Sequence, residues 1–287
     1  MKKIPIRQLG ATSQPTTATG EFKIRRLQDI VGAKDLVHDL HRHDFFFVLV
    51  VQHGMGEHVI DFTPYPVSDN VVFILRPGQV HELKLMAGCT GYLMEFSTGY
   101  YHPAESSAGQ RLRRVSNRNY AAPGGERVER LIHLMDTMFR EAALREDDYN
   151  DAIRAGLDIF FIECARVNSV SPGIIMVSNA YVQERFETFQ ALVEKHIADR
   201  KQVSQYAELM NLSPYQLNEI TKSSVGKTAS ELINDHIILE AKRYLLATAN
   251  QVKDIADLLG YEDISYFIRF FRKHTGKTPE QFRQHFK

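Results

Sequence analysis

The sequence predicts an α+β chain of two domains. A β-barrel or sandwich with two flanking helices fills the N-terminal half, and an all-helical C-terminal domain holds two helix-turn-helix units joined by a long helix. Three observations carry this expectation. Short runs of aromatic and β-branched residues, bounded by turn residues, recur between residues 22 and 97. After Pro123-Gly124-Gly125 the hydrophobic period becomes helical. Near the C-terminus a helix–break–helix pattern occurs twice, 49 residues apart at Val203 and Val252.

The bulk properties agree. A chain of 287 residues suits two domains, because single hydrophobic cores usually stop growing at about 250–300 residues. With 44% hydrophobic and 24% charged residues the composition is that of a globular chain and excludes a disordered or fibrous one. There is no apolar run of the roughly 18 residues that a membrane span needs. Met1-Lys2-Lys3-Ile4-Pro5 leads into Thr- and Ser-rich sequence, without the apolar core of a signal peptide. Cys89 and Cys164 are far apart and form no CxxC, which points to a reduced, cytoplasmic setting with both thiols buried. A net charge of zero names no partner. Locally, residues 264–287 carry Arg269, Arg272, Lys273, Lys277, Arg283 and Lys287 against the single acid Glu280, a positive footprint.

Along the chain, residues 1–20 are polar and weakly patterned and are expected to be a flexible arm. Phe45-Phe46-Phe47-Val48-Leu49-Val50-Val51 reads as a strand, a short apolar run rich in aromatic and β-branched residues, and Gly54-Met55-Gly56 as a turn. Residues 57–62 alternate as a half-buried strand does. Residues 71–75, 80–85 and 91–96 complete the series, so 21–110 is assigned to the β domain. In the helical region 111–170, Val128, Leu131, Met135, Met138 and Ala142 mark one stripe, and Ile153, Leu157, Phe160, Phe161 and Cys164 another. Such stripes serve equally for packing on the β domain or for a homodimer interface. Residues 171–182, with Ser171-Pro172-Gly173, read as a linker.

Residues 183–287 form the last domain, and they repeat themselves. Val203, Tyr206, Ala207 and Met210 lie on one helix face, as do Val252, Ile255, Ala256 and Leu259. Asn211 and Gly260 follow, residues that tolerate the left-handed backbone ending a helix. Ser213, Pro214 and Gln216 make a capping box with proline at the first helical position, and Asp263 can cap the second copy. Leu217 and Ile220 face the core in one copy, and Phe267, Phe270, Phe271 and His274 in the other. Each copy closes on Gly-Lys-Thr, at 226–228 and 276–278. A helix over 229–246 joins them, burying Leu232, Ile233, Ile237, Ala241, Tyr244 and Leu245. The second helix of such a unit can enter a DNA major groove about 12 Å wide, and two braced units can enter successive grooves about 34 Å apart.

The run Ile255-Ala256-Asp257-Leu258-Leu259-Gly260-Tyr261-Glu262-Asp263-Ile264-Ser265-Tyr266-Phe267-Ile268-Arg269-Phe270-Phe271-Arg272-Lys273, with Gly276-Lys277-Thr278-Pro279 and Phe282-Arg283, resembles the signature of AraC/XylS-type transcription regulators. The resemblance covers residues 186–287 and implies a double-stranded DNA operator, read by recognition helices at 214–224 and 264–273. It implies base-edge contacts from Tyr215, Asn218 and Glu219 in the first helix and from Ile264, Ser265, Tyr266 and Arg269 in the second. Chemically, Arg269 suits guanine, Asn218 adenine and Glu219 cytosine. Tyr215, Ile264 and Tyr266 suit thymine methyls. Lys222, Arg272, Lys273 and Lys277 suit phosphates, which position without specifying. RNA polymerase is the expected protein partner if binding activates.

His41-Arg42-His43 and Pro77-Gly78-Gln79-Val80-His81 resemble the words of a cupin-type sensory domain over residues 22–97. In a strand His41 and His43 face one side, and His81 could join them as a third nitrogen ligand. Metal-binding cupins usually place a glutamate shortly after HxH, where this sequence has Phe46, Phe47 and Val48. The expectation is therefore an effector pocket for a small molecule, lined by His41, His43, Phe45, Phe47 and His81, with no metal, no cofactor and no catalytic residue. The competing reading is a cupin metalloenzyme with an accessory helical domain, and a third is a helical module for protein contacts.

Overall fold

A computed structural model describes residues 6–7, 22–101, 107–167 and 180–285. They fall into two compact units, within Ile4–Pro172 and Gly173–Lys287.

The first unit runs β1 (Ile6–Arg7), β2 (Phe22–Arg26), α1 (Leu27–Val31), β3 (Leu36–His43), β4 (Phe46–His53), β5 (Gly56–Ile60), β6 (Thr63–Val67), β7 (Val71–Leu75), β8 (Val80–Leu85) and β9 (Thr90–Phe96). Then come α2 (Ser107–Ser116), β10 (Tyr120–Ala121), α3 (Gly125–Leu144) and α4 (Tyr149–Val167). Two five-stranded sheets result, in the orders β1-β3-β8-β5-β6 and β10-β7-β4-β9-β2. Strand β4 explains why the Phe-rich run is apolar at every position. Phe47, Leu49 and Val51 point between the sheets, to Ile60, Leu83 and Leu85. Phe46, Val48 and Val50 point the other way, to Leu131, Met135, Leu157, Phe160 and Phe161 of α3 and α4. A strand buried on both faces loses the alternation of a half-buried one.

Both helical stripes are consumed in this way. Val128, Leu131, Met135, Met138 and Ala142 are buried with Ile153, Leu157, Phe160, Phe161 and Cys164 against β4 and β9. They therefore pack on the β domain and are not left over for a dimer interface. Polar bonds fix the layer. Asp136 of α3 accepts from the Tyr92 hydroxyl at 2.6 Å and from Arg26 at 2.9 Å, and Asp158 of α4 accepts from Tyr101 at 2.6 Å. Both cysteines are buried free thiols, and burial pushes that of Cys164 up.

Several features depart from expectation. Residues 6–7 of the expected arm pair in parallel with β3; the rest of the arm lies outside the described residues. Strand β6, Thr-Pro-Tyr-Pro-Val, was hidden by its two prolines, which are tolerated because β6 is the edge of its sheet. The other sheet recruits β10 against β7, so the β domain reaches past residue 110, to Ala121. Residues 171–179 of the expected linker lie outside the described residues, and Ala180 already begins a helix.

The second unit is α5 (Ala180–His196), α6 (Val203–Leu209), α7 (Pro214–Val225), α8 (Ala229–Ala247), α9 (Val252–Leu258), α10 (Ile264–Thr275) and α11 (Pro279–His285). The sequence repeat recurs in its hydrogen bonds. Gln202 with Gln205 and Gln251 with Asp254 cap α6 and α9 alike. In the turns, Leu212 N–H donates to Ala207 and Tyr261 N–H to Ala256, each at 2.9 Å. Ser213 and Asp263 cap α7 and α10, and left-handed Gly226 and Gly276 end them. Thr228 with Glu231 caps α8, and Thr278 with Gln281 makes the same bonds at α11. The repeat thus extends one element beyond the two units read from sequence.

Ile233, Ile237, Ala241 and Leu245 of α8 are fully buried, whereas Leu232 and Tyr244 are half-buried. In α10 the core takes Phe267 and Phe271. Phe270 is half-buried and His274 is exposed, the two rings tilted at 47° with centroids 4.6 Å apart. Position 274 falls in the last turn, beyond the reach of the core.

The two helix-turn-helix units touch directly as well as through α8. Lys201, just before α6, donates to Gly260 O at 2.9 Å and Ala198 O at 3.0 Å, its ammonium above the Tyr261 ring. Gly260 has φ 68°, and a Cβ there would lie 1.7 Å from Ala198 O. Gly226 is equally left-handed but faces open space. Gly226→Ala should therefore cost only the left-handed penalty, about 1–2 kcal/mol. Gly260→Ala should cost clearly more, because Ala198 must also move. Thermal unfolding of both variants checks the order.

Candidate functional site

Two places in the chain gather functional side chains. The first is the outer surface of α7 and α10. A helix-turn-helix fixes its second helix by burying one face, here through Leu217, Ile220, Phe267 and Phe271, and leaves the other face open. Tyr215 is 73% exposed, Tyr266 55% and Ile264 36%, far more than aromatic and branched side chains usually are. Glu219, Lys222, Ser265, Arg269, Arg272 and Lys273 are exposed beside them, and Lys277 is half-buried. Arg269 lies 3.9 Å from Asp263, both well exposed. So loose a pair holds the guanidinium weakly. Among the described residues Arg272 and Lys273 have no ion pair.

Asn218 already carries a bond within the protein. Its Oδ1 accepts from Ala229 N–H at 3.0 Å, at the first turn of α8. Reading adenine needs both the amide oxygen and the amide nitrogen. In this structure the side-chain oxygen ties α7 to α8.

Arg283, which the sequence left without a role, is buried. It donates to Leu245 O at 2.9 Å and Asn250 O at 2.6 Å, satisfying carbonyls at and beyond the end of α8.

The second place is the interior of the β domain. His41, His43, Phe45, Phe47 and His81 are all buried there, as expected, and His58 of β5 joins them. A β-bulge creates the grouping. His38 pairs with Leu83 and His41 with His81, so β3 spends one more residue than β8 over this stretch. Without it, strand alternation would put positions 38, 40 and 42 on one face. With it, His41 and His43 turn inward. Gly78 N–H, in the turn before β8, donates to His43 O at 2.8 Å and holds the two strand ends together.

The rings lie close. His41 and His81 have centroids 4.3 Å apart, and His43 stacks on Phe47 at 5.4 Å. His43 Nε2 is 2.7 Å from His81 Nε2, and His58 Nε2 is 2.8 Å from His81 Nδ1. His41 Nδ1 lies 2.7 Å from the carbonyl oxygen of Asp39, inside the bulge. Burial pushes His58 down to about 3, helped by His41 and His38, and pushes His81 well below the ordinary histidine value, helped by its neighbours. His58 and His81 are therefore neutral at physiological pH. His58 was missed in the sequence, although alternation through Glu57 and Val59 places it on the inward side with Ile60.

Comparison with known proteins agrees with this geometry. Residues 30–156 match the profile of an AraC-like ligand binding domain, and residues 206–285 that of a helix-turn-helix domain. The chain belongs to the AraC family. It is an AraC-family transcription regulator, with a ligand-binding domain and a helix-turn-helix DNA-binding domain. Similar members include the HTH-type transcriptional activator RhaS of Escherichia fergusonii, 25% identical over 252 residues, covering 85% of this chain and 87% of the relative. RhaS of an Enterobacter species is 24% identical over 249 residues with the same coverage. Among solved structures, wild-type ToxT from Vibrio cholerae bound to an unsaturated fatty acid covers 94% of this chain and 96% of its own, at 15% identity and a TM-score of 0.43.

In this AraC-family regulator Asn218→Ala should act on stability. Losing the bond to Ala229 should cost about 1 kcal/mol in the unfolding free energy. The preference for matched over scrambled operator should stay unchanged in a binding assay.

Proposed function

We propose that the regulator reads its operator through the outer faces of α7 and α10 and binds its effector in the histidine- and phenylalanine-lined interior of the β domain. The observation that supports this most is the exposure of Tyr215, Ile264, Tyr266 and Arg269 on helices whose opposite faces are fully spent in the core. In this reading Tyr215, Glu219, Ile264, Ser265, Tyr266 and Arg269 meet base edges. Lys222, Arg272, Lys273 and Lys277 meet phosphates. The second unit dominates the grip, since α10 carries Arg269, Arg272 and Lys273, whereas α7 offers Lys222 beside the acidic Glu219.

The working units follow the compact divisions of the chain, with residues 183–287 binding DNA and the region up to about residue 121 holding the effector. Effector binding shifts DNA affinity only through different affinity for two states of the protein. RNA polymerase is the protein partner where binding activates. A homodimer would need a face other than the stripes of α3 and α4. No helix among the described residues is long and apolar enough to cross a membrane. We place the protein in the cytoplasm, where its DNA is, and assign it no catalytic residue.

Arg269→Ala should lose about 10-fold or more of the preference for matched over scrambled operator. Lys273→Ala should weaken both duplexes equally and lower the salt slope by about 1. Titrations at several salt concentrations check both. Equal loss on both duplexes for Arg269→Ala would remove it from base reading.

A further inference from the structure

The interior of the β domain is crowded with rings. Imidazole centroids lie 4.3–5.1 Å apart, the rings hydrogen bonded to one another and packed against Phe47 and Phe73. One ring nitrogen from each of His41, His43 and His81 lies within 4.8 Å of the others. We propose that this cluster is a metal-ion site: His41, His43 and His81 ligate a divalent transition-metal ion of the zinc class, and His58 is the positioning residue that holds His81. For the ion's role as the effector, the inference rests on the regulator reading above.

The neighbours of each ring support the assignment. His41 Nδ1–H donates to the Asp39 carbonyl at 2.7 Å, which leaves Nε2 as the nitrogen it can offer. In the proton order that gives His81 a lone pair at Nε2, its Nδ1–H donates to His58 Nε2 at 2.8 Å. Such outer partners fix ring orientation and tautomer in metal sites. His43 Nε2 then shares one proton with His81 Nε2 across 2.7 Å. An ion between them takes the place of that proton, which moves to His43 Nδ1, so three neutral imidazoles face the ion. This donor set suits zinc, nickel, copper and cobalt rather than magnesium or calcium, which prefer oxygen. The glutamate that the sequence lacks after HxH is not replaced by a carboxylate in the cluster. The positive charge therefore stays on the ion and favours an anionic oxygen as a further ligand.

The test uses full-length protein without a histidine tag, stripped by chelator and titrated with Co²⁺ as a spectroscopic probe in the absence of DNA. One Co²⁺ per chain, with visible ligand-field bands, is expected. His43→Phe and His81→Phe should abolish both, each variant being checked for folding by thermal unfolding; if one fails to fold, the other decides. His58→Phe should weaken Co²⁺ affinity about 10–100-fold and shift the bands. His58→Gln, which keeps an acceptor for His81, should restore most of the affinity. A folded wild-type chain that binds no Co²⁺ at millimolar concentration would overturn the proposal, and so would bands that survive His43→Phe. Bands that form normally in a protein whose operator affinity is the same with and without Co²⁺ would leave the ion site standing and sink the ion's role as effector instead.

Discussion

The N-terminal unit depends on the burial of β4 on both of its faces. One side of the strand closes the space between the sheets, and the other is the floor on which α3 and α4 lie. No polar side chain could stand between Phe45 and Val51 without losing its water on either side. The strand is therefore fixed in register by two cores at once. Every neighbour inherits that register, β7 and β9 by direct pairing and the helices by packing. The histidines are held against the inner of these two cores, through Phe47 and Phe73.

In the C-terminal unit the organising constraint is repetition. Each helix-turn-helix uses the same bond across the turn, the same kind of cap and the same left-handed residue at its end. The copies differ where they must fit each other. Gly260 comes so close to Ala198 that a side chain is excluded, whereas the residue at the matching place in the first copy is Asn211, with φ 53°. The asymmetry between the copies is therefore steric at the joint and electrostatic at the surface, where α10 carries more positive charge than α7.

Much of this was legible in the sequence, for identifiable reasons. Caps, breaks and apolar stripes are local, so the starts of α7, α9 and α10 could be read residue by residue. The run of β4 is unambiguous because nothing polar interrupts it. What stayed hidden depends on pairing partners distant in sequence. Strand β6 looks unlike a strand until it is known to be an edge. Strand β10 is two residues long and exists only through β7. Asn218 looks like a base reader until Ala229 is seen to occupy its oxygen. His58 lies 23 residues from His81 in sequence, and only the sheet brings them together.

The bulge between His38 and His41 makes the character of the interior a matter of counting. Whether imidazole or leucine and arginine look inward is decided by one surplus residue in the backbone, not by which side chains β3 contains. Straightening the strand without deleting a residue would leave every histidine in the sequence and yet turn His41 and His43 to the opposite face. The same bulge supplies the carbonyl that orients His41, that of Asp39, so parity and tautomer are set together within it. Two regulators with the same histidines could differ completely in what they sense, through a difference in strand pairing invisible to any comparison of residue types.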